Sequence, residues 1–337
     1  MRTLVVYRAL GLGDLLTAVP ALRALARAFP DHRRVLATPA ALAPLVELTG
    51  AVDEVVDTAP LAPLPGSLHG CDVAVNLHGR GPQSTALLEA ARPRRLIGFG
   101  RTSVWRAGEH EVARWCRLLT ESGIPADPRD RCLDPAEISR PAELPGLSPA
   151  EIAGVAEVAG GATVIHPGAA SGARRWPAER WAAVARAELA TGRRVVITGG
   201  PDERDLALGV AAAAGLPDDA VLAGETDLPG LAATVAAAAR VACGDTGVAH
   251  LATALRTPSV VLFGPTPPSE WGPPPDPRHI ALWAGQTGDP HADEPDPGLL
   301  RIGVSAVVSA LARVGHSHEL HRQDHRTLQE DRGRSHG

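Results

Sequence analysis

Three loops of this chain gather residue types that can act on a phosphorylated or hydroxylated small molecule. In the first, Arg8-Ala-Leu-Gly11-Leu-Gly13-Asp14, two glycines precede a carboxylate. At a strand-to-helix turn, Gly11 and Gly13 let backbone N–H groups approach a ligand, and the helix start favours negative charge. Asp14 fits two roles there: the N-cap of the helix, or a general base at the floor of a cleft. The second loop, His166-Pro-Gly168-Ala-Ala-Ser171-Gly-Ala-Arg174-Arg175-Trp176-Pro177, sets small residues and a hydroxyl beside two arginines. Arg174 and Arg175 can grip phosphate oxygens in a bidentate fork at any working pH; a solvated basic turn is the alternative. The third, Gly244-Asp245-Thr246-Gly247-Val-Ala-His250, follows a strand and opens a helix, whose unsatisfied N–H groups suit a diphosphate. Asp245 reads as a cap or a ligand contact, and His250 as a packed or a ligand-facing side chain. Trp176 and Trp181 read as packing anchors.

Elements must hold these loops in place. Short β-branched runs alternate with Ala/Leu-rich amphipathic stretches, the pattern of βα units around a parallel sheet. In the first half the pattern predicts strands at 3–7, 33–38, 53–57, 72–76 and 95–98, with helices at 14–29, 40–48, 82–91 and 109–122. The second series has strands at 163–166, 195–198, 221–222, 241–243, 259–262 and 279–283. Its helices fall at 177–191, 203–214, 228–239, 246–255 and 303–314. We therefore expect an α/β protein with an N-terminal Rossmann-like domain over 1–125 and a C-terminal one over 161–314. A proline-rich linker and irregular crossover over 126–160 separates them, and a polar tail over 315–337 reads as disordered. Two such sheets leave a cleft in which ligands meet the loops at the strands' carboxyl ends.

At 337 residues the chain is long enough for two cores, and 45% hydrophobic with 21% charged residues is a globular composition. No run of eighteen apolar residues suggests a transmembrane segment, and the short apolar N-terminus reads as a strand, which places the protein in the cytoplasm. A net charge of -5 argues against a general nucleic-acid binder. All 33 cationic Lys and Arg positions are Arg, so any cationic ligand contact comes from Arg or His. Cys71, Cys116, Cys132 and Cys243 lack metal or disulfide spacing, and no Asp-x-Asp pair is present to hold a divalent ion, which points to metal-independent chemistry. The first loop also fails the dinucleotide fingerprint: Leu16 stands where a third small residue is needed, and Ala37-Thr38-Pro39 offers no acid for a ribose.

Taken in order, the motifs resemble those of glycosyltransferase family 9, the ADP-heptose:lipopolysaccharide heptosyltransferases. They are Gly11-Leu-Gly13-Asp14-Leu-Leu-x-x-x-Pro20, His166-Pro-Gly with Arg175-Trp176-Pro and Trp181, Thr198-Gly-Gly-Pro201, and Asp245-Thr-Gly-x-x-His250 leading to Phe263-Gly-Pro-Thr. The resemblance spans most of residues 1–310 and implies the GT-B fold, with two Rossmann-like domains facing a central cleft, the acceptor on the first and the nucleotide sugar on the second. By the same resemblance Asp14 is the catalytic base of an inverting transfer, with Gly11 and Gly13 in the acceptor-side loop. Asp245, Thr246, Gly247 and His250 form the donor turn, and Glu203 and Leu228 fall near the donor's ribose and base. Arg174 takes the place of a diphosphate-holding lysine, and Ala169 and Ala170 replace paired hydroxyl residues, leaving Ser171 beside them. The implied co-substrate is a nucleotide sugar, ADP-heptose, with no cofactor or metal. The implied acceptor is a glycan or lipid-linked glycan like the lipopolysaccharide core, met at the inner membrane face. A nucleotide-sugar epimerase of related fold and a non-catalytic nucleotide- or carbohydrate-binding protein are the alternatives.

Overall fold

The computed structural model describes residues 2–134 and 148–314. The expected tail over 315–337 and the central part of the expected linker lie outside those residues. The chain divides into two compact units, one of Met1–Pro149 with Ser269–Trp271 and one of Ala150–Pro268 with the residues from Gly272 onward.

The first unit is a five-stranded sheet in the order β3-β2-β1-β4-β5, every pairing parallel. Its strands are β1 (Arg2–Tyr7), β2 (His32–Thr38), β3 (Glu54–Asp57), β4 (Val73–Asn76) and β5 (Arg95–Ile97). Central β1 is a continuous apolar run from Leu4 to Tyr7 because a strand covered on both faces gains from hydrophobic side chains pointing either way. In register, Val5 lies between Val35 of β2 and Ala74 of β4. Helices α1 (Leu12–Ala28), α2 (Ala43–Glu47), α3 (Gln83–Ala90) and α4 (Glu111–Glu121) complete the unit, with α1 against α4. Part of the expected linker packs on it: Asp130 accepts hydrogen bonds from Arg23 at 2.9 Å and Arg27 at 2.6 Å, both on α1.

The second unit repeats the plan with the order β10-β9-β8-β6-β7, again all parallel. The strands are β6 (Thr163–His166), β7 (Val195–Ile197), β8 (Arg240–Gly244), β9 (Ser259–Phe263) and β10 (His279–Trp283). Around them run α5 (Pro149–Ala159), α6 (Ala178–Ala190), α7 (Arg204–Ala214), α8 (Leu228–Ala237), α9 (Gly247–Ala254), α11 (Pro297–Leu300) and α12 over 304–314, while all but the first residue of the short α10 (Pro268–Trp271) groups with the first unit. The strand expected at 221–222 is a single bridge, Val221 to Ile197, after a 3-10 turn over Asp218–Ala220. Trp176 and Trp181 meet edge-on in the core with centroids 4.9 Å apart, as packing anchors. Cys71, Cys116 and Cys243 are buried thiols outside any disulfide, and burial pushes Cys116 up to about 12.

Candidate functional sites on the two sheets

Strand order picks out one crevice in each sheet. The chain runs from β1 to β2 and β3 on one side, then returns to place β4 on the other side of β1. In the second unit β7 and β8 likewise flank β6. Loops leaving the two strands at such a reversal turn apart at their carboxyl ends and open a ligand crevice. The loops concerned follow β1 and β4 in the first unit, and β6 and β8 in the second. Three of these four are the loops whose composition singled them out.

In the first crevice Asp14 is not the N-cap. The cap is Gly11, and Asp14, three residues on, reaches back so that its Oδ2 accepts from the Gly11 N–H at 3.3 Å. That N–H is therefore engaged within the loop, and Gly13 lies inside the first turn of α1. Asp14 is held from the other side by Arg8, a buried arginine at the end of β1 that sequence reading left without a role. The Arg8 Nε donates to the Asp14 carbonyl at 2.5 Å, and Nη2 donates to Asp14 Oδ1 at 3.3 Å, Thr17 Oγ1 at 3.1 Å and Glu111 Oε1 at 3.1 Å. Nη1 donates to the Leu77 carbonyl after β4, which ties the two diverging loops together. The indole of Trp115 lies 4.9 Å from the Arg8 guanidinium. Burial raises the proton affinity of Asp14 above the usual carboxylate range; Arg8 opposes the shift and Glu111 adds to it. From β4, His78 stacks on Tyr7 with centroids 4.7 Å apart, its buried Nδ1 has no hydrogen-bond partner, and burial with nearby Arg8 holds it towards the neutral form.

Beside it, a cavity of about 960 Å³ is lined by Arg80, Thr85, Phe99 and Arg101 among others, with Arg101 paired to Glu89. Arg8, Glu111 and His78 were missed for a common reason: each is ordinary in its local sequence and gains meaning only from partners on other elements. The one local signal is a charged residue directly following the apolar β1 run.

In the second crevice the loop after β6 makes two contacts that matter. Gly168 lies against Glu203, so closely that a Cβ would fall 2.0 Å from Glu203 Oε1. Glu203 caps the 3-10 turn Pro201–Glu203 by accepting from the Gly200 N–H at 2.8 Å, and its Oε2 sits 3.8 Å from His166 Nε2. His166 Nδ1 is 3.2 Å from Thr198 Oγ1, and burial holds the ring towards its neutral form against the pull of Glu203. Further along, Arg174 reaches the third loop: its Nη1 donates to the Asp245 carbonyl at 3.2 Å and its Nε to Ser171 Oγ at 3.3 Å. Ser171 donates to the Pro290 carbonyl at 2.7 Å, so its hydroxyl is held by the segment that follows β10.

Asp245 is likewise not a cap, since Thr246 holds the N-cap position of α9. Its carboxyl is almost fully buried, and burial pushes it up to about 6 against the pull of Arg174. Thus Ser171, Arg174, Asp245, Thr246 and Gly247 come together at the start of α9, while Glu203 and His166 form a neighbouring cluster joined to it through the same loop. Arg175 is exposed, its Nε donating to the Ala169 carbonyl of its own loop at 2.9 Å. Leu228 opens α8 behind the Asp227 cap, and His250 lies in the first turns of α9. Pro177 is the N-cap of α6 rather than its first residue. Among the described residues no cluster of three or more His, Cys, Asp or Glu side chains is arranged to hold a metal ion, and no helix is long and apolar enough to cross a membrane.

Comparison with known proteins bears on the fold and the family. Residues 82–297 match the sequence profile of glycosyltransferase family 9 (heptosyltransferase). Among curated proteins, the chain is 33% identical over 154 residues to lipopolysaccharide heptosyltransferase 3 of Escherichia coli, covering 45% of each chain. It is 35% identical over 106 residues to lipopolysaccharide heptosyltransferase 2 of Escherichia coli strain K12, covering 30% of each. The similarity thus spans less than half the length of these curated relatives. Among solved structures, a glycosyl transferase family 9 protein of Veillonella parvula superimposes with a TM-score of 0.76 at 20% identity, over 94% of this chain and 98% of that one. The ADP-heptose lps heptosyltransferase II of E. coli gives 0.73 at 21% identity over 94% and 99%, and the E. coli heptosyltransferase WaaC solved with ADP gives 0.67 at 19% over 93% and 100%. Such identities carry the fold, an α/β chain of the GT-B class with two parallel-sheet domains. The profile match runs through both loops of the second crevice and the fold agrees over nearly the whole chain: this protein belongs to glycosyltransferase family 9.

Proposed function

We propose that the protein is an inverting, metal-independent glycosyltransferase that moves a sugar, heptose from ADP-heptose, onto a hydroxyl of a glycan or lipopolysaccharide-core-like acceptor. Carrying this reading is the Asp14 carboxyl: partly exposed at the first crevice, loosely held, and with its proton affinity raised by burial. A carboxylate so placed can take the proton of an acceptor hydroxyl as that oxygen attacks the anomeric carbon. The bond to the departing diphosphate breaks in the same step. Arg174 and the N–H groups at the start of α9 are the cations and dipoles suited to the charge that develops there. The donor assignment draws support from the relatives, one of which is named for ADP-heptose and another of which was solved with ADP. The acceptor side draws support from the arginine-lined cavity of the first unit.

Two measurements test the reading. Asp14→Ala is expected to abolish transfer while leaving nucleotide affinity unchanged in calorimetry; normal turnover in that variant removes Asp14 from the mechanism. A panel of ADP, GDP, UDP, dTDP and NAD is expected to show selective, chelator-insensitive stabilisation by ADP, about 2.7 kcal/mol at a hundredfold excess over Kd. Selective binding of another nucleotide moves the donor, and binding of NAD alone sinks the proposal. Conversion of the donor sugar to its epimer without acceptor, or binding without any release of nucleotide, overturns the transfer assignment.

A further inference from the structure

We propose that Glu111 is a positioning residue for Asp14: it takes a share of the Arg8 guanidinium that Asp14 would otherwise hold alone, and so leaves the Asp14 carboxylate free to accept a proton. The proposal rests on the reading of Asp14 as the base. Its observation is an over-subscribed nitrogen. Arg8 Nη2 carries two hydrogens but faces three acceptors, Thr17 Oγ1 and Glu111 Oε1 at 3.1 Å and Asp14 Oδ1 at 3.3 Å. Of the other Arg8 nitrogens, Nε donates to the Asp14 carbonyl and Nη1 to the Leu77 carbonyl.

The two carboxylates compete on unequal terms. Glu111 is only 6% exposed, whereas Asp14 is 28% exposed and can turn to water or substrate. Glu111 is also pinned: the Trp115 Nε1 donates to its Oε1 at 2.7 Å, and Arg114 pairs with its Oε2. The Asp14 carboxylate's bonds to Arg8 and to the Gly11 N–H are long, 3.3 Å each, whereas charge-assisted bonds that hold a carboxylate firmly are nearer 2.8 Å. The charged groups facing Asp14 are Arg8 from the end of β1 and Glu111 from α4; Arg114 lies behind Glu111, and His78, beside Arg8, is pushed towards its neutral form by burial and by Arg8. An undivided arginine beside a carboxylate makes it a weaker base. Sharing Arg8 with Glu111 keeps the orientation that the guanidinium provides while cancelling much of its charge.

A purely structural Glu111, anchoring α4 to β1, predicts looser packing on substitution but no change at Asp14. The two roles separate in a carbon-13 NMR titration of the Asp14 carboxyl in the full-length protein, the resonance being assigned by its loss in Asp14→Asn. In Glu111→Gln the Asp14 midpoint is expected to move to lower pH. Arg114→Gln, which relieves Glu111 of its second cation, is expected to move it to higher pH, and Glu111→Asp to restore part of the wild-type value. If transfer is measured, the acid limb of the kcat profile should follow the same displacements, with KM for the nucleotide sugar unchanged. Midpoints equal to wild type in the folded variants overturn the proposal. If Glu111→Gln does not fold, the upward shift in Arg114→Gln decides. Turnover retained in Asp14→Ala would instead overturn the base assignment, an outcome the titrations do not depend on.

Discussion

Two carboxylates, Asp14 and Asp245, have their proton affinity raised by burial, and opposite degrees of access suit them to different tasks. Asp14 stays partly exposed, as a group that must exchange a proton with a substrate requires. Asp245 is sealed behind Arg174 and the start of α9, so ionising it costs stability. Because its folded-state affinity lies above that of the unfolded chain, the native protein binds more protons than the unfolded one between about pH 4 and the Asp245 value of about 6. Stability from this group is therefore complete below about pH 4 and is lost as pH rises through 6, a difference on the order of 3 kcal/mol. Asp245→Asn is expected to be more stable than wild type in urea titrations at pH 7.5, with the gap closing below about pH 4. A constant gap across that range would show that Asp245 does not titrate as its burial demands.

At the scale of elements, the loop after β6 is fitted to its neighbours by two glycines. A Cβ on Gly172 would lie 1.5 Å from the Asp293 carbonyl oxygen, a backbone atom that cannot step aside alone. The segment between β10 and α11 is further fastened here, with the Ala173 N–H donating to the Ala292 carbonyl and the Asp296 N–H to the Ala173 carbonyl. Gly172→Ala is therefore expected to cost about 2 kcal/mol or more and to raise amide hydrogen exchange over 285–296. Gly168→Ala meets only the end of the Glu203 side chain, which can swing away. Its expected effect is a small stability change with weakened nucleotide binding, seen in calorimetry beside an unchanged melting temperature. Equal losses of stability in the two variants would refute this distinction between a backbone and a side-chain contact.

Across the molecule, charge buried at one edge of a sheet differs in purpose from charge buried at the other. At the amino edge of the second sheet, Glu188 of α6 pairs with Arg240 at the start of β8, and its Oε2 accepts from Thr163 Oγ1 at 2.5 Å. Arg240 also donates to the Leu311 carbonyl, fastening α12 to the sheet. The group bonds within itself and to the fold around it, so it reads as structure. Removing one partner leaves a buried charge unpaired, and Glu188→Ala is expected to cost about 3–5 kcal/mol. Hydrogen exchange should then rise in β6 to β9 and stay unchanged in β1 to β5, because each unit has its own core. At the carboxyl edges, by contrast, Asp14, His78 and Thr246 keep unmet or weakly met polar atoms, as groups awaiting a ligand do.

What the amino-acid sequence determined by itself was whatever is written in local order. Apolar β-branched runs alternating with amphipathic stretches gave away all ten strands and the parallel α/β class, with one expected strand too many at 221–222, since periodicity is a property of neighbouring residues. Glycine-bounded loops with Asp14, Arg174 and Asp245 stood out for the same reason, as did the family resemblance. Tertiary structure alone decided who partners whom. Arg8 with Glu111, Gly168 with Glu203 and Arg174 with the Asp245 turn join residues far apart in the chain. Their distances are fixed by strand order and register, and so are the burial that raises two carboxylates and the competition for one arginine. Electrostatic energy depends on separation in space and on solvent access, and neither is encoded at any single position.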